Sequence, residues 1–432
     1  MPKKILCFIL RILAQATLRR YKPMIIGVTG SVGKTSAKEA IFTVLKERFS
    51  VRRNIKNYNN EIGVPLTILG QATGGKSIWR WLQIFLVGFF EIFYTKNYPK
   101  ILILEMGADK IGDIAYLTSF IKCFAGVVTT VGEIPVHVEF FQGADQVAKE
   151  KAILVQNLDK NGWAILNYDD DRVRAMARKT SAKIFTYGFS DQADLRVSNF
   201  EQHLDNLAEA GLSFKVDYQG SNVPIRLRYV YARHQVYAIL AGAAVGLIFK
   251  MNLVEIAQAL KNYQSPAGRL QVIRGIKNTW LIDDTYNSSP SSSLGALELL
   301  EKMSNLNANG EPGRKIVAFG DMLELGSFTE EAHRQVGARA AQVADILLAV
   351  GEKSIFMADE AKKNGLAKEN VWYFASAEEA GRELQDLIKE GDIILVKGSQ
   401  GIRMEKIVKE LMAEPERAGE LLVRQEEDWQ DR

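Results

Sequence analysis

The stretch that decides the fold of this chain is Gly27-Val-Thr-Gly-Ser-Val-Gly-Lys-Thr-Ser36. It follows the apolar run Met24-Ile-Ile26 and precedes a segment with helical periodicity, so the sequence predicts a strand, a glycine-rich turn and a helix. Gly30 and Gly33 let backbone N–H groups approach phosphate oxygens, and the helix presents its positive N-terminus to them. We therefore expect a nucleotide polyphosphate to bind at this turn.

The side chains of the turn refine this expectation. Lys34 is placed to reach the terminal phosphates, and the Thr35 hydroxyl is placed to ligate Mg²⁺. The strict G-x-x-x-x-G-K-[ST] spacing is not met because Val28 occupies its first position, which leaves the narrower pattern T-G-x-x-G-K-T-S. A glycine turn that merely precedes a lysine is the alternative, and the strand–turn–helix context disfavours it. The expected cofactors are ATP and Mg²⁺, bound by the turn residues Gly30, Ser31, Val32, Gly33, Lys34, Thr35 and Ser36.

Composition restricts the class of protein. The 432 residues suffice for two to three domains. Cys7 and Cys123 form neither a disulfide framework nor a metal-ligand spacing, which favours a reducing, cytoplasmic location. The net charge of +4 is small, and no nucleic-acid partner is expected. Residues 1–24 are basic and contain no acid, whereas the tail from Glu414 leans acidic and is expected to be solvated or frayed.

Residues 1–20 predict a basic amphipathic helix. Its apolar stripe, which excludes Arg11 and Gln15, consists of Ile5, Phe8, Ile9, Ile12, Leu13 and Ala16. A secretory signal is disfavoured because Arg11 interrupts the apolar stretch and export would leave the phosphate site without ATP. The helix lies either on the membrane surface or on the domain, and the pattern does not choose between them.

A second apolar segment covers residues 78–94. It is marginal in length for a membrane span and carries Arg80, Gln83 and Glu91, so a bilayer crossing is disfavoured. The pattern favours an interfacial or partner-binding helical hairpin, with a buried core helix as the alternative. We therefore expect peripheral contact with the inner face of the membrane through residues 1–20 and 78–94.

Strand and helix patterns alternate along the rest of the chain. The first half has predicted strands at 101–105, 124–130, 163–167 and 183–187, helices at 144–158 and 232–249, and a β-rich insert at 195–230. The second half has predicted strands near 270–274, 279–283, 315–319, 346–350 and 393–397. This alternation predicts an α/β protein with parallel sheets covered by helices on both faces, and a second α/β unit that begins near Arg269. The expected division is 1–24 (basic segment), 25–265 (central ATP-binding domain with a hydrophobic insert at 76–97), 266–411 (C-terminal domain) and 412–432 (acidic tail).

Three residues of the first half are candidates for chemistry. Glu105 ends a buried strand, at the sheet edge where ligands gather, and is placed to hold the Mg²⁺ of an ATP complex. Its alternative role is that of a capping or salt-bridging acid. His137 follows the next strand by a short loop and is a candidate metal ligand or phosphate donor, although a loop histidine is usually just exposed. Lys151 reads most simply as a surface lysine of a helix.

Two strand ends of the second half carry polar residues. Asp283-Asp-Thr-Tyr-Asn287 places two carboxylates and an amide at the rim of the second domain, with a turn-forming role as the alternative. Lys397-Gly-Ser399 follows the last strand, where backbone and hydroxyl donors suit an anionic substrate group.

Taken together, these motifs resemble the Mur ligase family, over roughly residues 25–411. The turn Thr29–Ser36 resembles the family's P-loop. The other matching strings follow in the family's order: Asn57–Thr67, Glu105–Ala108, His137–Glu139 with Lys151, Gly268–Leu270, Asp283–Asn287, Gly320–Gly326 and Lys397–Ser399. Asn59–Pro65 and Gly320–Gly326 resemble the members that join UDP-N-acetylmuramoyl-tripeptide to D-alanyl-D-alanine in peptidoglycan precursor synthesis.

The resemblance implies a P-loop central ATPase domain built on a mostly parallel sheet and a Rossmann-like C-terminal α/β domain. It also implies an ATP-dependent, ADP-forming acid–amino-acid ligase. ATP phosphorylates a substrate carboxylate, and an amine attacks the acyl phosphate to form an amide. In similar enzymes the residues matching Thr35 and Glu105 hold one magnesium ion, the one matching His137 helps hold a second, and the one matching Lys151 is carbamylated. Lys34, His137 and Lys151 are thus the expected catalytic residues. Residues expected to contact the nucleotide outside the turn are His234, Arg269, Asp284 and Asn287.

The chain departs from the family pattern in three places. The family's His-Asn-x-x-Asn is here His234-Gln-Val-Tyr-Ala238, and Ile153 stands where a glutamate usually follows the carbamylated lysine. Family members carry an N-terminal domain that grips the UDP-sugar, and we expect the basic segment 1–24 to take its place. Three alternatives therefore stay open: an amide ligase for another, membrane-linked carboxylate; a non-catalytic ATP-binding module at the membrane surface; and a P-loop kinase or GTPase, which would explain only the first motif.

Overall fold

A computed structural model describes residues 2–55, 58–132, 143–204, 206–207, 209–425 and 429. The strands of the first sheet are β1 Met24–Thr29, β2 Val51–Arg53, β3 Ile101–Glu105, β4 Ala125–Val128, β5 Trp163–Asn167, β6 Lys183–Gly188, β7 Leu195–His203, β8 Gly211–Tyr218 and β9 Ser221–Arg228. The strands of the second sheet are β10 Gln271–Arg274, β11 Trp280–Asp284, β12 Lys315–Gly320, β13 Ile346–Val350, β14 Val371–Phe374 and β15 Ile393–Lys397.

The helices alternate with these strands. In the first half they are α1 Lys3–Tyr21, α2 Lys34–Leu45, α3 Gly63–Leu69, α4 Ile78–Tyr94, α5 Asp113–Thr118, α6 Ala144–Gln156, α7 Asp171–Arg174, α8 Arg233–Ile248 and α9 Leu253–Leu260. In the second half they are α10 Pro290–Lys302, α11 Thr329–Val343, α12 Ile355–Lys363, α13 Ala377–Leu387, α14 Glu405–Leu411 and α15 Ala418–Leu421. Among the described residues, no helix combines the length and the apolar character that a membrane crossing requires.

The first sheet has the strand order β2-β3-β1-β4-β5-β6-β7-β8-β9. In this order, all neighbouring strands from β2 through β1 to β7 pair in parallel. Strands β8 and β9 continue the sheet in antiparallel pairing. The carboxyl ends of β1, β3 and β4 therefore meet at one edge, where an open α/β sheet binds its ligands. The β-rich insert predicted at 195–230 is the antiparallel extension of this sheet.

The second sheet has the order β10-β11-β15-β12-β13-β14. All its pairs are parallel except β10 with β11. Asp284 and Lys397 are register partners at the ends of β11 and β15. This sheet thus brings two of the polar strand ends found in the sequence side by side.

Apolar strands explain why helices cover both faces of each sheet. Every residue of β3 is buried, as expected for a strand in the interior of a parallel sheet. On one face α8 packs tightly on α2, because a Cβ built at Gly242 would lie 2.9 Å from the carbonyl carbon of Ala40. This packing holds α2, and with it the P-loop, against the sheet.

One side of helix α1 packs on the first domain, in agreement with one of the two alternatives left by the sequence, while contact of its other side with a membrane stays a prediction. The predicted apolar stripe is wrong, however: the buried positions are Leu6, Leu10, Ala14 and Thr17. Ile5 and Phe8, both on the predicted stripe, are 50% and 63% exposed. Apolar residues occur nearly all around this helix, so periodicity alone does not single out the side that the tertiary contacts bury.

Residues 78–94 form the single helix α4 rather than a hairpin. It is not a buried core helix either, because only Trp81, Ile84, Gly88 and Ile92 are buried. The prediction that an apolar helix occupies these residues is correct. The two structural interpretations of this segment, a helical hairpin and a buried core helix, are both wrong.

The acidic tail is docked rather than solvated over its described part, 412–425. Met412 and Leu422 belong to the apolar core of the second domain and are 1% and 5% exposed. Arg424 is buried as well and pairs with Glu405 at 2.9 Å. The expectation of a frayed tail came from its charge, whereas its few apolar residues determine where it packs.

Candidate active site

The P-loop lies between β1 and α2, as predicted. Gly30 has φ 150°, and a Cβ built there would lie 1.9 Å from Oγ1 of Thr129, so only glycine fits. Gly33 has φ 85° and directly precedes α2. Lys34, Thr35 and Ser36 form the first turn of α2, whose N–H groups have no intrahelical acceptor and are suited to bind an anion.

The end of β4 holds the loop in shape. The backbone N–H of Ser31 donates to the carbonyl of Thr130 at 2.6 Å. The Thr129 hydroxyl donates to the carbonyl of Val32, also at 2.6 Å. These bonds from a neighbouring strand fix a backbone that its own short sequence would leave mobile.

The Lys34 side chain folds back over the loop. Its Nζ donates to the carbonyl oxygens of Gly30 at 2.8 Å and Ser31 at 3.2 Å. Burial lowers the pKa of Lys34, opposed by the negative charge of Glu105 and assisted by the positive charge of Arg269. The ammonium is therefore preorganised above the turn, where the phosphates of a nucleotide would replace its carbonyl partners.

Glu105 ends β3 beside Val28 of β1 and is 2% exposed. Its Oε1 accepts a hydrogen bond from Nδ2 of Asn59 at 3.3 Å. Its buried Oε2 has no hydrogen-bond donor among the described residues, and the nearest cation is Nζ of Lys38 at 3.7 Å. A buried carboxylate oxygen left in this state is suited to a cation that arrives with a ligand.

The residues present fit a magnesium ion. Mg²⁺ is commonly bound by one or two carboxylates together with substrate phosphates and water. Thr35 on α2 and Glu105 on β3 would hold it at the edge of the P-loop. The described part of the chain contains no group of three or more His, Cys, Asp or Glu that could by themselves hold a metal ion. His137, predicted as a further ligand, lies outside the described residues.

Two residues that the sequence analysis missed position Glu105. The Asn54 side-chain oxygen accepts a hydrogen bond from the backbone N–H of Glu105 at 2.6 Å. Lys38, fully buried on α2, donates from Nζ to the Asn54 carbonyl at 3.0 Å. Lys38 follows Lys34 by four residues and thus lies on the same helix face, a signal the sequence did contain. Asn54 follows β2, a strand that was not predicted.

Lys151 is buried on α6, so its interpretation as a surface lysine is wrong. It is 3% exposed. Burial, with the nearby positive charge of Lys34, lowers the pKa of Lys151 to about 7. Its neighbour Glu150 accepts hydrogen bonds from the N–H groups of Gly112 at 3.0 Å and Ile114 at 2.8 Å. Glu150 thus anchors the start of α5, while Lys151 has an amine that is substantially neutral at physiological pH.

The second domain contributes a buried ion pair. Nζ of Lys397 lies 2.6 Å from Oδ2 of Asp284 and also donates to the carbonyl of Asn287 at 3.0 Å. The other carboxylate oxygen of Asp284 accepts from the N–H of Leu270 at 3.2 Å. Asp284 thereby connects the end of β11 to Leu270, the residue directly after Arg269.

Asp283, the other carboxylate of this string, turns inward. Its Oδ1 accepts hydrogen bonds from the N–H of Thr285 at 3.0 Å and from the Thr285 hydroxyl at 2.6 Å. Burial raises the pKa of Asp283 to about 6. The expectation of two carboxylates at the rim is therefore wrong, since Asp283 stabilises the turn.

Arg269 and Tyr286 face the P-loop from the second domain. The Arg269 guanidinium lies 3.8 Å from the centroid of the Tyr286 ring. Burial, assisted by the charge of Arg269, lowers the pKa of Lys34, and burial, assisted by the charge of Glu105, raises the pKa of Tyr286. Nε of Arg269 is buried and has no hydrogen-bond acceptor within the described ranges. The structure thus brings together Lys34, Glu105 and Arg269 from distant parts of the sequence.

His234 and Gln235 stand at the junction of the two domains. A Cβ built at Gly295 of α10 would lie 3.6 Å from Nδ1 of His234. The Gln235 amide donates to the Ser265 hydroxyl at 3.0 Å and to the Arg269 carbonyl at 3.2 Å. Gln235, which departs from the family pattern, ties α8 to the linker that carries Arg269.

Comparison with known proteins identifies the family. The family model described as "Mur ligase middle domain" matches residues 89–246, and "Mur ligase, glutamate ligase domain" matches residues 268–400. The chain is 30% identical over 400 residues to the UDP-N-acetylmuramoyl-tripeptide–D-alanyl-D-alanine ligase of Mycobacterium leprae, covering 88% of this chain and 71% of the relative. The chain belongs to the Mur ligase family. The ligase of the same name from Bacillus subtilis is 28% identical over 404 residues, or 93% of this Mur ligase and 79% of the relative.

Solved structures show the same fold. MurF from Acinetobacter baumannii superposes with a TM-score of 0.75 at 23% identity, over 92% of this Mur ligase and 79% of that chain. MurF from Thermotoga maritima, solved in complex with ADP, gives 0.74 at 24% identity, over 95% and 84%. The α/β fold class and the family expected from the sequence are confirmed, and with the family the class of enzyme, an ATP-dependent ligase.

Proposed function

We propose that this Mur ligase joins D-alanyl-D-alanine to UDP-N-acetylmuramoyl-tripeptide through an amide bond, driven by ATP. The relatives named above carry this activity in their names. One arrangement carries the proposal: Gln235 of α8 holds the Arg269 carbonyl at 3.2 Å, and the charge of Arg269 in the second domain acts on Lys34 of the P-loop. A nucleotide at this position would be gripped from both domains, as a phosphoryl transfer to a second substrate requires.

The reaction proceeds in two steps. A substrate carboxylate oxygen attacks the γ-phosphorus of ATP, ADP leaves, and an acyl phosphate forms. The amine then attacks the acyl carbon, inorganic phosphate leaves, and the amine loses a proton. Lys34 and the N–H groups of the α2 N-terminus stabilise the negative charge on the transferring phosphoryl group. Mg²⁺, which the family uses with ATP, would be held by Thr35 and Glu105 and would neutralise phosphate charge.

Lys151 is proposed to be carbamylated, as in similar enzymes. Its pKa of about 7 leaves a large fraction of neutral amine, which is the form that attacks CO₂. The nitrogen bonds to the carbon and releases a proton, so that a cation becomes a carboxylate. This change also removes the repulsion between Lys151 and Lys34 and would supply a negative ligand to a metal beside the phosphates.

Closure of the two domains is proposed to protect the acyl phosphate from water. Arg269 reaches the nucleotide site, with Tyr286 stacked against its guanidinium at 3.8 Å. Asp284 and Asn287 would complete the wall on the second-domain side, and His234 of α8 would face them from the first domain. Exclusion of water favours attack by the amine over hydrolysis.

The test is phosphate release from ATP with purified protein, Mg²⁺, UDP-N-acetylmuramoyl-tripeptide and D-alanyl-D-alanine, each substrate being omitted in turn. Release that needs both substrates, with a product of their summed mass less water, is the expected result. A protein that binds ATP but releases no phosphate with this pair would refute the proposed substrates and favour the alternative, a ligase for a membrane-linked carboxylate.

We also propose that the protein contacts the cytoplasmic face of the membrane peripherally. Residues 1–20 and 78–94 support this location, because α1 and α4 leave large apolar side chains exposed. Such contact is independent of the chemistry at the P-loop.

A further inference from the structure

The outward side of α4 is apolar along its whole length. Trp79 and Tyr94, near its two ends, are 80% and 75% exposed. The other exposed apolar residues of this helix are Ile78, Leu82, Leu86, Val87, Phe89, Phe90 and Phe93. A surface helix of a soluble protein normally presents polar residues on this side, so an apolar face of this size indicates an interaction site.

Helix α1 adds a second apolar strip beside it. Ile5, Phe8 and Ile12 are 50%, 63% and 48% exposed, on the side opposite to the buried Leu10. The inner side of α1 is held by Leu6 and Leu10, which share an apolar cluster with Trp81 of α4. The exposed strip is therefore not a consequence of a poorly packed helix.

The two helices lie side by side and run in the same direction. Near their middles, a Cβ built at Gly88 would lie 3.7 Å from a Leu13 methyl group. Near their C-terminal ends, the Tyr21 hydroxyl donates to the carbonyl of Glu91 at 2.6 Å. With the shared cluster at their N-terminal ends, these contacts join the helices along their length into one rigid unit, which we name the α1/α4 surface (residues 3–21 and 78–94).

Charge on the two helices of the α1/α4 surface is mostly positive, although Lys3 at the start of α1 pairs with the neighbouring Glu61 at 2.7 Å. Exposed basic residues border the apolar strips, namely Lys4, Arg19, Arg20, Lys76, Arg80 and Lys96. Helix α1 contains no acidic residue, and the single acid of α4, Glu91, is half-buried. Burial raises the pKa of Glu91. An apolar face with a basic border complements anionic headgroups above an acyl layer.

We propose that the α1/α4 surface docks flat on an anionic lipid bilayer, with the exposed aromatic residues of α4 inserted at the boundary between headgroups and acyl chains. This inference rests on the proposed peripheral location and specifies its partner and orientation. It does not depend on the ligase substrates. The helices lie in the plane of the interface, in agreement with the finding that no described helix is long and apolar enough to cross a bilayer.

Detergent-free flotation of the full chain tests the proposal. Vesicles of phosphatidylcholine alone are compared with vesicles that also contain phosphatidylglycerol, at low and high salt. The protein is expected to float with the anionic vesicles, and the bound fraction is expected to fall with salt because screening weakens the basic contacts. A protein that stays at the bottom with anionic vesicles at low salt overturns the proposal, and equal binding to neutral vesicles overturns the choice of an anionic surface.

Variants separate the apolar from the basic contribution. Trp79→Ser with Phe93→Ser is expected to lower the partition coefficient by about tenfold or more, since two large apolar side chains no longer enter the interface. The matched control, Val254→Ser with Tyr373→Ser, alters residues that are 67% and 46% exposed elsewhere and should leave binding unchanged.

The charge variant is Lys4→Gln with Arg19→Gln. Each lost charge should lower the partition coefficient roughly fivefold. Arg382→Gln with Lys409→Gln, exposed positions of the second domain, is the control. Equal losses in variant and control would show that net charge, not this surface, determines binding.

Two further measurements complete the test. Sedimentation velocity without lipid asks whether a second copy of the chain covers the face; a dimer that Trp79→Ser with Phe93→Ser dissociates would overturn the lipid proposal. Phosphate release by the same variant, without vesicles, should equal that of the unmodified protein. Flotation without ligase activity would refute the proposed substrates alone, and ligase activity without flotation would refute the docking alone.

Discussion

Nζ of Lys397 lies 2.6 Å from Oδ2 of Asp284, although the two residues are more than a hundred positions apart in the chain. They end the neighbouring strands β15 and β11, and both are buried. The pair holds the strand end from which Tyr286 and Arg269 reach the P-loop. A contact made by two sheet strands thus sets one wall of the nucleotide site.

Breaking this pair should destabilise the protein strongly. Lys397→Met leaves the Asp284 carboxylate buried without its cation, so we expect the free energy of unfolding to fall by about 3–5 kcal/mol. Adding Asp284→Asn should recover part of the loss, because the uncompensated charge is removed. Urea denaturation measures both, with Lys302→Met as the control: its exposed pair with Glu298 at 2.7 Å should contribute at most about 1 kcal/mol.

Loss of the Lys34 ammonium should abolish turnover without unfolding the protein. Lys34→Ala removes the donor above the P-loop, and kcat for phosphate release is expected to fall by about 10²–10³-fold or more. Thermal unfolding should stay close to that of the unmodified protein. Lys46→Ala, at the exposed end of the same helix, serves as the control. Retained activity in Lys34→Ala would refute the assignment of the P-loop.

The hydrogen bond from Asn59 to Glu105 should tune magnesium binding. Asn59→Ala removes the donor 3.3 Å from Oε1 of Glu105, so the Mg²⁺ concentration for half-maximal activity is expected to rise by about 10–100-fold. Saturating Mg²⁺ should restore kcat. Asn309→Ala, in an exposed loop, should change neither value. A lower kcat with unaltered Mg²⁺ dependence would mean that Asn59 acts on something other than the metal.

Lys151 should make stability depend on pH in a defined direction. Its ordinary pKa is 10.5, and burial lowers it to about 7. Between these values the unfolded chain holds a proton that the folded protein lacks, so the free energy of unfolding rises with pH. Below pH 7 both states are protonated and the full cost of the buried charge is present.

The measurement compares Lys151→Met with the unmodified protein in CO₂-depleted buffer, where the amine is free. The variant should be the more stable protein below about pH 7, and this advantage should shrink steadily toward pH 10. Lys149→Met, at an exposed position of the same helix, should show no such trend.

Added bicarbonate should increase the mass of the unmodified protein by one CO₂ and raise its activity, and neither effect should occur in Lys151→Met.

Arg424 is expected to contribute to stability and to ATP binding, although it lies in the tail. It pairs with Glu405 at 2.9 Å and donates to the Thr285 carbonyl at 3.1 Å, beside the loop that carries Tyr286. Arg424→Gln should therefore lower the free energy of unfolding by about 3–5 kcal/mol and raise the KM for ATP. Arg417→Gln, in the same tail but exposed, should leave both near their original values. Equal effects of the two variants would contradict a specific role for Arg424.

Much of the architecture could be predicted because it depends on local patterns. The strands at 101–105, 163–167, 346–350 and 393–397 match the predicted bounds, since continuous apolar runs between turn residues are typical of buried parallel strands. The short strands Val51–Arg53 and Val371–Phe374 were missed. Val51–Arg53 contains two arginines and Val371–Phe374 is only four residues long, and pairing with a neighbouring strand stabilises both.

The residues of the candidate site likewise include some that the sequence predicted and some that it did not. The P-loop, Glu105 and Arg269 could be found from motifs, whereas Asn54 and Lys38 could not be assigned a role. Their importance comes from a hydrogen bond at 2.6 Å to Glu105 and one at 3.0 Å to Asn54, between residues far apart in the chain. The spacing of Lys34 and Lys38 places both on one helix face, but it does not show that Lys38 contacts Asn54 or that Asn54 contacts Glu105.

The sequence by itself determined the phosphate loop, the alternation of strands and helices, and the family, because each depends on short motifs or local patterns of residues close together in the chain. Only the tertiary structure decided that Lys151 is buried, that the acidic tail docks, and which side of α1 faces the protein. Burial is a property of the whole fold: it depends on which distant surfaces cover a residue, and it sets both the pKa of a lysine and the exposure of an apolar face.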